Sequence, residues 1–423
     1  MIVDLVVRNV RLGKFDQLQQ IAVQAGKIAA CGSLLDLTGV SEVDAGGRLI
    51  LPGFIDSHVH LDIALVNDMR ISGRQKPYTS QKEMMADMEA RKKVFTKEDI
   101  MLRAETLLDM AVRHGVTALR AQCHIDPEVG LRHLEALLEV KQRVASRLTL
   151  QIVAFPNQEL LREDTLSLFE NAFAMGADVM GCAPLHDVDR RRHIDVAMDM
   201  AAKYQVDLDV HADLALLQVA EVDELDVVIL ARKILATGFQ GRVCAGHVSA
   251  LDSLPQSEAM QVIDLIREAN ISVISLPDLY RLGRADTQHV RRGLTRVKEM
   301  LQAGVNVCFA SNNTRDCLRP YGNMNPLEEA LILSYGAHMD EVGQLETLIE
   351  MTTTNAARAI GLTSYGLNPG DNADFILLAA SSLSAAIINQ SEVSHVFKAG
   401  QLLVENQRTC IWHVPTHYPT MIL

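Results

Sequence analysis

An apolar run that closes on two histidines, Leu49-Ile50-Leu51-Pro52-Gly53-Phe54-Ile55-Asp56-Ser57-His58-Val59-His60, sets the architecture of this chain. Side chains on an extended strand alternate, so His58 and His60 point the same way. Both imidazoles can then bind one divalent ion, and imidazole suits Zn, Fe, Ni or Cu better than Mg or Ca. A single histidine at a strand end is more often a hydrogen-bonded structural group than a ligand. The pair needs context, and the rest of the chain supplies it.

Outward from the pair, short apolar runs recur at 116–120, 148–155, 177–182, 206–210, 242–246, 271–276 and 305–310. With 49–54 they make eight candidate strands between residues 49 and 312, most followed by a helical pattern. Eight strands alternating with helices predict an α/β protein, a (β/α)8 TIM barrel. The helices are legible as well. Thr96 precedes a stripe of Ile100, Ala104, Leu107, Leu108 and Ala111, Asp99 completes a weak capping box, and Gly115 ends the helix. Residues 295–301 form another helical pattern that leads through Gly304 into the eighth strand.

The flanks are of a different kind. Residues 1–48 alternate in strand fashion, with glycine turns at 13, 26 and 32, and residues from 366 onward resemble them. Both ends, 1–48 and 366–423, are expected to form one small β-sandwich domain beside a barrel over 49–365. The tail at 415–419 reads as irregular.

Composition narrows the class. A length of 423 residues suits a large barrel with an appended domain, and 48% hydrophobic with 4% aromatic content fits a globular α/β chain. The net charge of −13 argues against nucleic acid and against an anionic membrane surface, since both need a basic face. No apolar run of about 18 residues occurs, and Met1-Ile2-Val3-Asp4 has no basic n-region. Seven cysteines without Cys-x-x-Cys spacing read as reduced core thiols. A cytoplasmic protein is the expectation, and a homo-oligomer is left open.

In a (β/α)8 barrel the chemistry sits at the C-terminal ends of the strands. His58 and His60 end the first strand, His211 follows the fifth, His247 the sixth and Asn312 the eighth. His124 lies just past the second strand and His186 just past the fourth. One mouth gathers them all. Other candidates have plainer explanations: His413-x-x-x-His417 as surface, Arg291-Arg292 as a solvated pair, and Met84, Met85 and Met88 as packing.

At this point the chain resembles the amidohydrolase superfamily, and within it the branch of cytosine deaminase and N-isopropylammelide isopropylamidohydrolase. The resemblance is carried by Leu51 to Asp62, Ile152 to Pro156, Asp209-Val210-His211, Gly246-His247, Arg291 to Leu301 and Gly304 to Phe309, with Gly366 to Gly370 and Ala373-Asp374 near the end. It covers nearly the whole chain. It implies one divalent metal ion, Zn or Fe, held by His58, His60 and His211 with the strand-eight residue, Asn312, as the fourth ligand. It places His247 beside the metal-bound water. It implies that the residues at Asn157 and Asn313 help hold the substrate; by their positions after strands three and eight, Asn157, Gln158, Asn313 and Asp316 are expected to face the metal's cavity, with His186 after strand four adding a contact.

The chain departs from that pattern at the acid–base positions. Ser311-Asn312-Asn313 stands where the family has an aspartate followed by a second acid. Leu214 stands at the deaminase's glutamate, with Asp213 before it, and a short insertion brings Glu221, Asp223 and Glu224 near the fifth loop. Those three acids read first as solvated helix-start residues and second as a replacement proton donor. A carboxamide is neutral and accepts no proton at pH 7, which leaves His247 as a candidate base and Asn312 as a ligand without base function. The leading expectation is a metal-dependent hydrolase of a C–N bond in a small nitrogen heterocycle. The alternative is a member of the same fold that binds metal or ligand without turnover, and a purely structural role for the histidines ranks last.

Overall fold

The computed structural model describes residues 2–13, 17–66, 81–214, 221–276 and 294–409, together with 411 and 413. Eight parallel strands follow in chain order: Phe54–His60, Val116–Ile125, Thr149–Pro156, Val179–Cys182, Asp207–Ala212, Val243–His247, Ser272–Ser275 and Val307–Phe309. Each pairs with the next. A parallel bridge between Val59 and Asn312 returns the eighth strand to the first. There His60 N donates to Asn312 O at 2.8 Å, and Asn312 N donates to His58 O at 2.9 Å. The expected barrel is present, and it closes through two of the histidines and Asn312.

Local sequence explains the helix that leads into the second strand. Thr96 caps Lys97–Arg113 by accepting from Asp99 N at 3.2 Å, and Ile100, Ala104, Leu107, Leu108 and Ala111 are all buried. Gly115, at φ 89, turns the chain into the second strand, a left-handed conformation that favours glycine. Helices Arg132–Val144, Glu163–Met175, Arg190–Tyr204, Asp226–Thr237 and Gln256–Glu268 cover the barrel in the same way.

The apolar run 49–54 is two strands, not one. Leu49–Pro52 leaves the barrel, pairing antiparallel with Phe375–Leu378 and parallel with Ile2–Leu12. The barrel begins at Phe54. Gly53 makes the break: its N–H reaches Asp374 O at 3.0 Å and its carbonyl takes the Tyr365 hydroxyl at 2.7 Å. A Cβ there would stand 2.2 Å from the Thr117 side chain. Apolarity could not reveal the break because both halves are buried, each in its own sheet. Other strands run past their expected limits for the opposite reason: they continue into buried polar residues where the apolar run stops. The second reaches Ile125 and so contains His124, the fifth contains His211, and the sixth ends on His247.

The two chain ends do meet in one sheet. Ile2–Leu12 pairs with Gln19–Gln24 and Thr38–Asp44, and Phe375–Leu378 continues into Val393–Lys398 and Gln401–Glu405. Leu5, Val7, Ile21, Val23 and Ile28 pack there with Phe375 and Phe397, whose rings stack at 4.5 Å.

At the opposite end from the histidines, helix Thr354–Ile360 plugs the barrel floor against Ile55, Ala118, Cys244, Ile274 and Cys308. Its last carbonyls need donors. Arg120 Nη2 reaches Ile360 O at 3.3 Å and Gln151 Nε2 reaches it at 3.0 Å, which places a cation at a helix C-terminus.

Among the described residues the cysteines are free thiols, as expected; Cys123, Cys182, Cys244, Cys308 and Cys317 are buried and Cys31 is half-buried. No described helix is long and apolar enough to cross a membrane. Met88 packs in the core and His413 is exposed. The side chains of Met84 and Met85, the Arg291-Arg292 pair, His417 and the 415–419 tail lie outside the described residues.

Candidate metal centre

Three imidazole nitrogens meet at the C-terminal mouth of the barrel. His58 Nε2 and His60 Nε2 each lie 3.2 Å from His211 Nε2, and all three rings are buried. Burial, with the neighbouring imidazoles adding to it, holds His60 and His211 well below the usual histidine pKa, so both rings are neutral. Three imidazole nitrogens turned onto one small space cannot all satisfy one another through shared hydrogen bonds, because only two contacts of 3.2 Å link the three. A divalent cation resolves that conflict. Metal–nitrogen bonds of about 2.0–2.1 Å in a tetrahedron put ligands about 3.3 Å apart, close to the spacing seen here. The donor set therefore fits a transition metal.

His58 is oriented from behind. Its Nδ1 lies 3.2 Å from Gln122 Nε2 and 3.5 Å from Asp209 Oδ1, and that amide donates to the same Asp209 oxygen at 3.1 Å. Arg120 Nη1 donates to Asp209 Oδ2 at 3.1 Å. Burial works against the Asp209 charge, but His58 and Arg120 outweigh it and hold its pKa below the ordinary carboxylate range. A carboxylate behind Nδ1 keeps the proton there and leaves Nε2 for a metal. Gly246 leaves room for the ring, since a Cβ would stand 3.3 Å from His58 Cε1. Asp209→Asn should lower metal affinity about 10- to 100-fold with the fold retained, read by competition with a chelator.

His247 approaches from the sixth strand, its ring 5.4 Å from His211 and 6.0 Å from His58. The turn that places it is strained: His247 and Val248 have φ of 70 and 48, costly for a β-branched residue. Val248 N holds the turn to Ala212 O at 2.9 Å. Asn312 is buried with its main chain clamped between His58 and His60, at φ 59, which asparagine tolerates. Behind it, Ser311 N donates to Asp56 Oδ2 at 3.2 Å and Arg319 Nη1 donates to Ser311 O at 2.9 Å. Arg319 also pairs with buried Glu329 at 2.5 Å. Burial pushes the Glu329 carboxyl up to about 7 against the pull of that guanidinium.

The expected wall residues occupy varied settings. Asn157 follows the third strand directly, is buried and donates to Glu89 Oε1 at 2.9 Å, while Gln158 beside it is half-buried. His186 sits in the short turn Pro184–His186, its ring 6.5 Å from Phe155, whose own ring lies 4.4 Å from His211. Burial, then His193 and His124, push the His186 pKa down to about 4. Asn313 donates to Asp316 Oδ2 at 2.5 Å, and Asp316 Oδ1 accepts from Leu318 N and Arg319 N. Asp316 thus builds the loop that holds Asn313.

No replacement acid comes from the fifth loop among the described residues. Asp213 turns away to cap helix Asp226–Thr237, accepting from Asp226 N at 2.7 Å and Val227 N at 3.0 Å. Burial, with Asp226 adding to it, raises its carboxyl to about 7. Glu221, Asp223 and Glu224 are exposed, with Asp223 paired to Arg232 and Glu224 to Arg191. Of their two readings, solvated acids is the one the geometry favours.

Sequence reasoning passed over Asp209, Gln122, Asp62 and His133. Asp209 was within reach, because Asp-x-His on one strand puts both side chains on one face. His133 carries no such sign, since it comes from a helix.

The comparisons with known proteins agree with this geometry. The sequence profile of the amidohydrolase family matches residues 41–124 and 96–404. N-isopropylammelide isopropyl amidohydrolase of Pseudomonas sp. (strain ADP) is 26% identical over 408 residues, covering 96% of this chain and 98% of that protein. Pterin deaminase of Rhizobium rhizogenes is 26% identical over 371 residues, 86% of this chain and 82% of that one. Among solved structures, 5-methylcytosine deaminase from Klebsiella pneumoniae liganded with 5-fluorocytosine superposes with a TM-score of 0.86 at 30% identity, covering 96% and 99% of the two chains.

Proposed function

The chain belongs to the amidohydrolase family, and we propose that within it the protein hydrolyses a C–N bond of a small nitrogen heterocycle using one divalent ion, zinc or iron. The observation that carries this is the convergence of His58, His60 and His211 within 3.2 Å contacts at the barrel mouth. The relatives just described act, by name, on 5-methylcytosine, N-isopropylammelide and pterin, which supports a nitrogen heterocycle as the substrate. When bound, the ion would supply Lewis acidity and a water of lowered pKa. Its ligands would be the three histidines with Asn312 beside them. His247 approaches the triad from the sixth strand, its ring 5.4 Å from His211, and an imidazole there can accept a proton. Asn157, Gln158, Asn313 and His186 offer a neutral wall, suited to a ring with alternating donors and acceptors rather than to a carboxylate. Asp316 supports that wall through Asn313.

A second reading keeps the binding and drops the turnover. It is favoured by Asn312, a carboxamide at the family's aspartate position, and by Asp213, whose carboxylate is taken up by the start of helix Asp226–Thr237. Metal analysis with an ammonia- and amine-release assay on cytosine, 5-methylcytosine, N-isopropylammelide and pterin separates the two. Release with kcat/KM on the order of 10⁴ M⁻¹s⁻¹ or above supports the hydrolase. A metal-loaded protein that binds these rings and releases nothing supports the second reading.

A further inference from the structure

A second cluster adjoins the triad. Asp62, two residues beyond His60, holds two more imidazoles on one carboxylate oxygen: Asp62 Oδ2 lies 2.8 Å from His124 Nδ1 and 2.6 Å from His133 Nδ1. The same oxygen accepts the His124 main-chain N–H at 2.9 Å. All three residues are buried, and Arg103 fixes the loop by donating to Asp62 O at 3.0 Å and Ala64 O at 2.7 Å. The His124 ring stacks on His60 at 5.3 Å and meets Phe155 edge-on at 5.4 Å, so it forms part of the chamber wall. Its Nε2 has no protein partner among the described residues and is not sealed from solvent-accessible space.

The geometry points to His124 Nε2 as a substrate-contacting hydrogen-bond acceptor of fixed tautomer, selecting rings that present an N–H or amino group to that wall. His124 Nδ1–H donates to Asp62 Oδ2 at 2.8 Å, which fixes the tautomer and leaves Nε2 as the ring's one acceptor atom. Separations of 2.6–2.8 Å are hydrogen-bond lengths, shorter than the edge of a metal coordination shell. Asp62 accordingly reads as a clamp on two imidazoles rather than as a second metal's ligand. His133 is a positioning residue that shares the clamp. The substrate role rests on the hydrolase reading of the chamber, but the tautomer does not.

Two variants separate contact from scaffolding. Gln places its amide where Nε2 stands, whereas Asn places it where Nδ1 stands. On whichever ring of the four-compound panel the wild type turns over, His124→Asn should lose about 10- to 100-fold in kcat/KM, the cost of leaving a buried donor unpaired. His124→Gln should stay within a few-fold, and both should keep the wild-type metal content. The reverse order, with Asn tolerated and Gln not, overturns the contact and leaves only an anchor for Asp62. If the wild type turns over none of the four, the hydrolase reading fails on its own, and ¹⁵N-histidine NMR of the zinc-loaded protein still decides the tautomer. The resonances lost in His124→Asn should show a protonated Nδ1 and a bare Nε2. A proton on Nε2 overturns the inference, as does a second zinc per chain that His133→Ala removes.

Discussion

His211→Ala should strip most of the metal from the protein and abolish turnover while leaving the barrel folded. His211 is the common partner, 3.2 Å from each of the other two Nε2 atoms, so its loss leaves two of the three ligand imidazoles. Two such ligands rarely hold a catalytic ion against dilution. Losing the ion removes several kcal/mol of charge stabilisation, a fall of about 10³-fold or more in rate. Elemental analysis after gel filtration checks the first part, and the release assay checks the second. His60→Ala should behave alike. Full occupancy in either variant would show that the ion is held elsewhere.

Asn312→Asp should have the opposite effect on metal and little effect on cytosine. Aspartate accepts the left-handed conformation found at φ 59 almost as well as asparagine, so the clamp between His58 and His60 should survive. The added negative charge beside a divalent ion should slow its loss to a chelator at least as much as outer-shell partners do, about 10- to 100-fold. Cytosine deamination should not return with the single change, because Leu214 still offers no proton donor and groups that act as a unit are non-additive. The pair Asn312→Asp with Leu214→Glu should exceed either alone. Measured kcat/KM on cytosine for the three variants, with chelator half-lives, decides the matter. A wild type already at about 10⁴ M⁻¹s⁻¹ on cytosine would show that these positions do not limit it.

The sequence by itself determined the barrel and its mouth. Strand periodicity with intervening helices predicts eight strands, and strand ends carry the chemistry in that architecture, so His58, His60, His211 and His247 could be placed without coordinates. Thr96 and Gly115 marked their helix because a capping oxygen and a left-handed turn are local requirements. Only the tertiary structure decided the rest. The break at Gly53 depends on Asp374 and Tyr365, more than 300 residues away. Asp213 stood beside Leu214 as a spare acid in the sequence, yet two backbone N–H groups of a helix start claim it. The Asp62–His124–His133 clamp joins a loop, a strand and a helix. No spacing along the chain encodes such contacts, because side-chain hydrogen bonds between distant elements are set by how the elements pack, and periodicity reports only which face of each one is buried.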